Sequence, residues 1–225
     1  MKTIKSALFA VAALLALTSA SSAGPLNGVY LEVGTSAIGA EFDGKIVETA
    51  NTNTSTGQVG KTAVTTSYGL GYMTDRSRKL GLDVGYMWNP GSATLKTTSS
   101  ADASNTTGGG GEVTFEISDS TDWYIAPMIN MTENASLYVK MGKASSDLKI
   151  TGDVQKPGSM DGDTAAIGTI MSWDSNLYIR TEAGMTEYDT LSIAGLGTTG
   201  GVATTTTVTA DPTVHYGKIA IGYKF

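Results

Sequence analysis

The segment Gly217-Lys218-Ile219-Ala220-Ile221-Gly222-Tyr223-Lys224-Phe225 constrains the fold of this chain more than any other stretch. Gly217, Ile219, Ile221, Tyr223 and Phe225 share one parity, and Lys218, Ala220, Gly222 and Lys224 share the other. A period of two sends alternate side chains to opposite faces of a strand, so the segment reads as a strand with one apolar and one mixed face. Polar, fraying residues are usual at the end of a soluble domain. Here the apolar face runs out to an aromatic ring, and it needs an apolar environment over its whole length.

Seven further segments alternate in the same way: 29–42, 62–74, 80–89, 112–131, 136–144, 164–173 and 177–188. The clearest sets Leu80, Leu82, Val84, Tyr86 and Trp88 against Gly81, Asp83, Gly85 and Met87. In 112–131 the residues Val113, Phe115, Ile117, Trp123, Ile125, Pro127, Ile129 and Met131 keep one parity, interrupted by a polar middle from 118 to 122 that suits a bulge. The connections 75–79, 132–135 and 174–176 are short and built of turn residues, whereas 43–61, 90–111, 145–163 and 189–212 are long. Short and long connections therefore alternate strictly. A soluble sandwich has no reason to sort its loops in this way; a transmembrane barrel, with turns at one end and loops at the other, has.

Composition agrees. Gly is abundant at 28 residues, Pro is scarce at 5, and there is no Cys, which excludes disulfides and thiol chemistry. Mean hydropathy is −0.02, as expected when a lipid-facing parity is averaged with a polar one. At the N-terminus, Lys2 and Lys5 precede an apolar run from 7 to 17 and small residues up to Ala23. This is the layout of a secretory signal peptide over 1–23, and the run is too short to cross a bilayer as a helix. The expected domain is then 24–225. Without Lys2 and Lys5, 13 of the 15 basic residues remain against 21 acidic ones, a balance opposed to nucleic-acid binding.

These features resemble the small bacterial outer-membrane β-barrels of the OmpA transmembrane-domain and OmpW type. The C-terminal parity of Gly217, Ile219, Ile221, Tyr223 and Phe225 is similar to the signal that barrel-assembly machinery reads in that class. The fold expected is all-β: an eight-stranded antiparallel transmembrane barrel with short periplasmic turns and long extracellular loops. The resemblance implies the outer membrane of a Gram-negative bacterium, export through the periplasm, and both termini on the periplasmic side. Outer-membrane lipid, lipopolysaccharide and the assembly machinery are the expected partners of a monomer. Tyr72 and Trp173 at the short-turn end, and Trp88 and Trp123 toward the long-loop end, are the expected interface aromatics. Phe42 joins the second group.

The opposite parity carries Glu32, Asp83, Asp122, Lys140, Arg180, Glu182 and Lys218 with several tyrosines. Eight strands leave an interior just wide enough for side chains to fill. Glu32, Asp83, Lys140, Arg180, Glu182 and Lys218 are therefore expected to form an ion-pair network in the lumen. Barrel enzymes of the lipid A deacylase type need a His-x-Ser pair, but the single His215 is followed by Tyr216 and Gly217 and lies on the lipid parity. No catalytic residue, cofactor or metal ligand is assigned; Asp147, Asp153, Asp161 and Asp163 fit no calcium-loop spacing. The function expected is a non-catalytic structural or surface-interaction protein, with a narrow porin-like channel for ions or small solutes as the alternative.

Overall fold

The computed structural model describes residues 28–48, 54–74, 79–98, 112–151, 158–173, 176–199 and 202–225. The expected signal peptide lies outside these residues, as do turn positions 75–78 and 174–175 and Asp153. The side chain of Phe42 also lies outside the description.

Strands β1 (Val29–Glu48), β2 (Thr54–Met73), β3 (Leu80–Thr98), β4 (Glu112–Asn130), β5 (Ala135–Thr151), β6 (Ser159–Ser172), β7 (Leu177–Tyr188), β8 (Leu191–Thr199) and β9 (Val202–Lys224) form a single antiparallel sheet. From β1 to β7 neighbours in sequence pair, β7 and β8 both pair with β9, and β1 pairs with β9 to close the wall. β8 continues β7. Glu187 faces Thr213 while Leu191 faces Ala210, so one extra residue around Asp189-Thr190 separates two stretches that pair with the same partner, β9. The closed wall thus has eight strands, and β8 with the first half of β9 makes a hairpin above it.

The stagger of this wall can be read from its ladders. A straight walk from Leu31 passes Leu70, Tyr86, Trp123, Lys143, Asp163, Glu187 and Thr213 and returns to β1 at Glu41, ten residues on. A stagger of this size goes with a strand tilt of about 40°. At about 3.3 Å per residue, the 20 residues of β1 then climb roughly 50 Å, about twice the apolar band that a membrane requires. Much of what the sequence reads as long connection is consequently strand. Residues 43–47 of β1 pair with 54–58 of β2, and 145–151 extend β5.

Near the short-turn end the wall faces outward with Leu31, Val33, Leu70, Tyr72, Leu82, Val84, Ile125, Val139, Ile167, Ile219 and Ile221. Beyond Trp123 and Trp88 the sense of the alternation inverts. Asp147, Lys149, Asp161, Asp163, Glu187 and Asp211 now point outward, and Ala40, Ala144, Leu148, Met160, Tyr188, Leu191, Ala210 and Val214 pack inside. Below this level the outer face is apolar and the charges lie inside; above it, the charges lie outside.

One expectation about β4 is corrected. Ile117 does not share the outward face with Trp123: it is 6 % exposed and belongs to the upper inner cluster, whereas Trp123 is 66 % exposed. A register shift between Ser118 and Thr121, with Asp119 at φ 50°, inserts a residue and exchanges the two faces. The polar middle of this segment is thus a bulge that turns an apolar parity inward where the wall needs apolar residues inside.

The β2–β3 seam is the short one. It runs from Met73↔Asp83 to Tyr68↔Trp88 and stops, although both strands continue. Pro90 has no N–H to donate, and β3 shifts register between Asn89 and Ser92. The strands still touch beyond that point, because a Cβ on Gly91 would run into the Thr65 side chain.

Candidate functional site

Inward parity and stagger together decide what meets inside. Tyr30, Met73, Met87, Tyr124, Ala126, Met128, Tyr138, Ile170 and Tyr178 pack in the lower part of the lumen. Among them, seven ionisable side chains join in one alternating chain. Asp83 Oδ2 lies 2.8 Å from Arg180 Nη2, and Arg180 Nε lies 2.8 Å from Glu32 Oε2. Glu32 Oε1 accepts from Lys218 Nζ at 2.9 Å, and Lys218 reaches Glu182 at 4.0 Å. Glu182 Oε1 is 3.0 Å from Lys140 Nζ, which lies 2.6 Å from Asp122 Oδ2.

The structure brings all six sequence-assigned lumen charges together, and Asp122 joins them as the far end of the chain. Asp122 is visible in the sequence as an inward acid, but it stands just past the bulge of β4, where parity alone gives no depth.

Tyrosines complete the coordination. Tyr30 donates to Asp83 at 2.8 Å, Tyr178 to Glu32 at 3.1 Å, and Tyr138 and Tyr216 to Glu182 at 2.6 and 2.8 Å. The Arg180 guanidinium also stands 5.3 Å from the Tyr30 ring and 5.2 Å from the Tyr138 ring. A cation this buried is tolerable because carboxylates and ring faces replace its water.

Above the charge chain the inner face becomes apolar. Ile38, Ala40, Ile117, Tyr188 and Val214, with Thr65, Asn89, Gly91 and Ser120, surround a cavity of about 30 Å³, the size that holds a water or two. Tyr188 shares a hydrogen bond of 2.7 Å with Ser146, and burial raises its phenol above the ordinary range. The lumen is therefore stacked in two layers: a lower one in which charges interleave with tyrosines and methionines, and an apolar one above it.

On the outer face, Tyr72, Tyr223, Phe225 and Trp173 lie toward the short-turn end. Tyr223 packs edge-on to Phe225 with centroids 5.2 Å apart. Trp123 stacks on Tyr86 at 4.6 Å, and Trp88 on Tyr68 at 5.7 Å, at the other limit of the apolar zone. Gly217, Ile219, Ile221, Tyr223 and Phe225 all point outward, and His215 does too.

No family model matches the chain, and no curated protein matches it. Solved structures do. OprG of Pseudomonas aeruginosa is 13 % identical, with 90 % of this chain and 98 % of that one covered and a TM-score of 0.63. The fold is that of a small outer-membrane β-barrel. Ail of Yersinia pestis, solved with the heparin analogue sucrose octasulfate, is 15 % identical over 85 % of this chain and 99 % of that one, with a TM-score of 0.43. The outer-membrane protease OmpT of Escherichia coli is 9 % identical over 92 % of this chain and all of that one, at 0.48. At such identities an outer-membrane barrel shares architecture with its neighbours, and its function has to be argued from its own residues.

Proposed function

We propose that this chain is an integral outer-membrane barrel of structural or surface-presenting type, with a closed lumen and no catalytic activity. The observation that carries this reading is the stacking of the lumen. A continuous chain of mutually paired charges lies under an apolar layer, and no base–nucleophile pair accompanies it among the described residues. Interior ion pairs of this kind fix register and fill space.

In this reading the short-turn end faces the periplasm and the upper hairpins stand outside the cell. The wall meets lipid below and the lipopolysaccharide headgroups at the Trp88 and Trp123 level. Residues 1–23 direct export, and the outward face of Gly217, Ile219, Ile221, Tyr223 and Phe225 serves the assembly machinery. The barrel acts as a monomer that displays its hairpin tips.

Conductance across a planar bilayer tests the proposal, with a heat-dependent gel shift certifying the folded barrel. The mature chain is expected to be silent. Discrete current steps that change in Arg180→Ala or Glu182→Ala would overturn the closed-lumen reading in favour of a narrow channel with those charges as its selectivity elements.

A further inference from the structure

Among the described residues the lumen charges do not balance. Glu32, Asp83, Asp122 and Glu182 bring four negative charges, while Lys140, Arg180 and Lys218 bring three positive ones, all buried. The chain of pairs begins and ends on a carboxylate, Asp83 at one end and Asp122 at the other.

The two ends differ. Asp83 holds Arg180 Nη2 at 2.8 Å, accepts from Tyr30 at 2.8 Å, and lies 3.4 Å from the Tyr124 hydroxyl. Asp122 shares Lys140 with Glu182 through Oδ2, and its buried Oδ1 has no hydrogen-bond partner among the described residues. Asp122 is 8 % exposed. An uncompensated charge in such a place is among the costliest arrangements a fold can contain.

We propose that the barrel binds one compensating monovalent cation, a proton or an alkali ion, at the Asp122 carboxylate. The groups around that carboxylate are Lys140 from β5, Glu182 and Tyr188 from β7, Lys218 and Tyr216 from β9, and Tyr124 of β4 itself, with Met87 opposite on β3. Lys140 is shared between Asp122 Oδ2 and Glu182 and Lys218 is engaged with Glu32, so among the described residues no further positive charge is free to reach Oδ1. The space beside Oδ1 is bounded by Gly142, where any Cβ would stand 2.7 Å from that oxygen. The inference stands on the burial of Asp122 and the charge count, and it holds whether or not the lumen conducts.

The test is the unfolding equilibrium of the refolded full barrel in urea. The unfolded chain has free carboxylates, with an Asp pKa of about 3.9. If the folded barrel keeps one proton that the unfolded chain has lost, the unfolding constant rises tenfold per pH unit between roughly pH 6 and 9, until Asp122 itself ionises. If the ion is sodium or potassium, the constant is independent of pH in that range. It then falls tenfold for each tenfold rise in that ion, with choline holding ionic strength constant.

In either case Asp122→Asn abolishes the dependence, whereas the exposed Asp163→Asn keeps it. For the proton, the infrared carbonyl band of a protonated carboxyl is present in the wild type and absent in Asp122→Asn. A wild-type barrel with no dependence on pH or alkali ion overturns the proposal even if the variant fails to refold. A dependence that survives in Asp122→Asn overturns the assignment to Asp122.

Discussion

Arg180 is the best place to measure what the lumen network contributes. It is completely buried and bridges Asp83 and Glu32, each at 2.8 Å. In Arg180→Met the methionine fills part of the space, but two carboxylates lose their shared cation. Glu32 retains Lys218 at 2.9 Å and the Tyr178 hydroxyl at 3.1 Å, so its loss is partial. Asp83 retains only hydroxyl donors, Tyr30 at 2.8 Å and Tyr124 at 3.4 Å. Removing one partner from a buried pair costs about 3–5 kcal/mol. Because one cation serves both acids, the expected loss is one such increment, about 4 kcal/mol, and not two. The cost comes mainly from stranded Asp83. Arg180→Met/Asp83→Asn should therefore recover about 2 kcal/mol, within the usual range of coupling between contacting residues. Urea unfolding followed by gel shift and by fluorescence of the three tryptophans reads both values. A single-variant loss below about 1 kcal/mol, or a double variant no better than the single, would refute the view that these charges hold the interior together.

Three further outcomes are expected. Gly222→Ala would drive a methyl group into the Tyr178 ring and displace its hydroxyl from Glu32, lowering stability by about 1–3 kcal/mol in the same urea assay. An unchanged midpoint would mean that Tyr178 can move freely. Trp123→Ala removes an outward ring stacked on Tyr86 at 4.6 Å; a loss of about 1 kcal/mol is expected in lipid vesicles, and its absence would count against an interfacial role. Hydrogen exchange should find the β3-facing amides of β2 above Tyr68 poorly protected, while amides in the β1–β2 seam at the same height exchange slowly. Equal protection on the two edges would show that the β2–β3 ladder continues past Pro90.

How far the sequence reveals this molecule depends on height along the barrel. In the apolar band the parity of β2, β3, β5, β6, β7 and β9 is legible, because Leu, Ile, Val and aromatic residues on one face contrast with Gly, Ser and charges on the other. Above that band the contrast weakens to Thr, Ser and Gly. Residues such as 54–61 then read as loop although they are paired strand. The sense of the alternation also inverts there, so Leu148 looks like a loop residue when it is inner core. Ile117 is misassigned for a related reason: a parity count does not register the residue inserted at the bulge. That Glu32 and Arg180 face inward is legible, but their meeting is not. They stand 148 positions apart in the chain, and only the stagger of the closed wall sets their heights equal.

The inverted alternation fixes how deep the barrel can sit. Lys143, Asp163 and Glu187 follow one another along a single ladder row just above the last outward apolar residues of their strands. Sinking the barrel by two residues would drag these charges toward the hydrocarbon. The penalty rises to about 2–4 kcal/mol for a lysine carried to the midplane and is smaller for acids. Raising it by two would strip lipid from Leu80, Met131 and Trp173 at the other end. The wall thus behaves as a float with its waterline marked in sequence. The exposed hairpins can lengthen or shorten without moving that line.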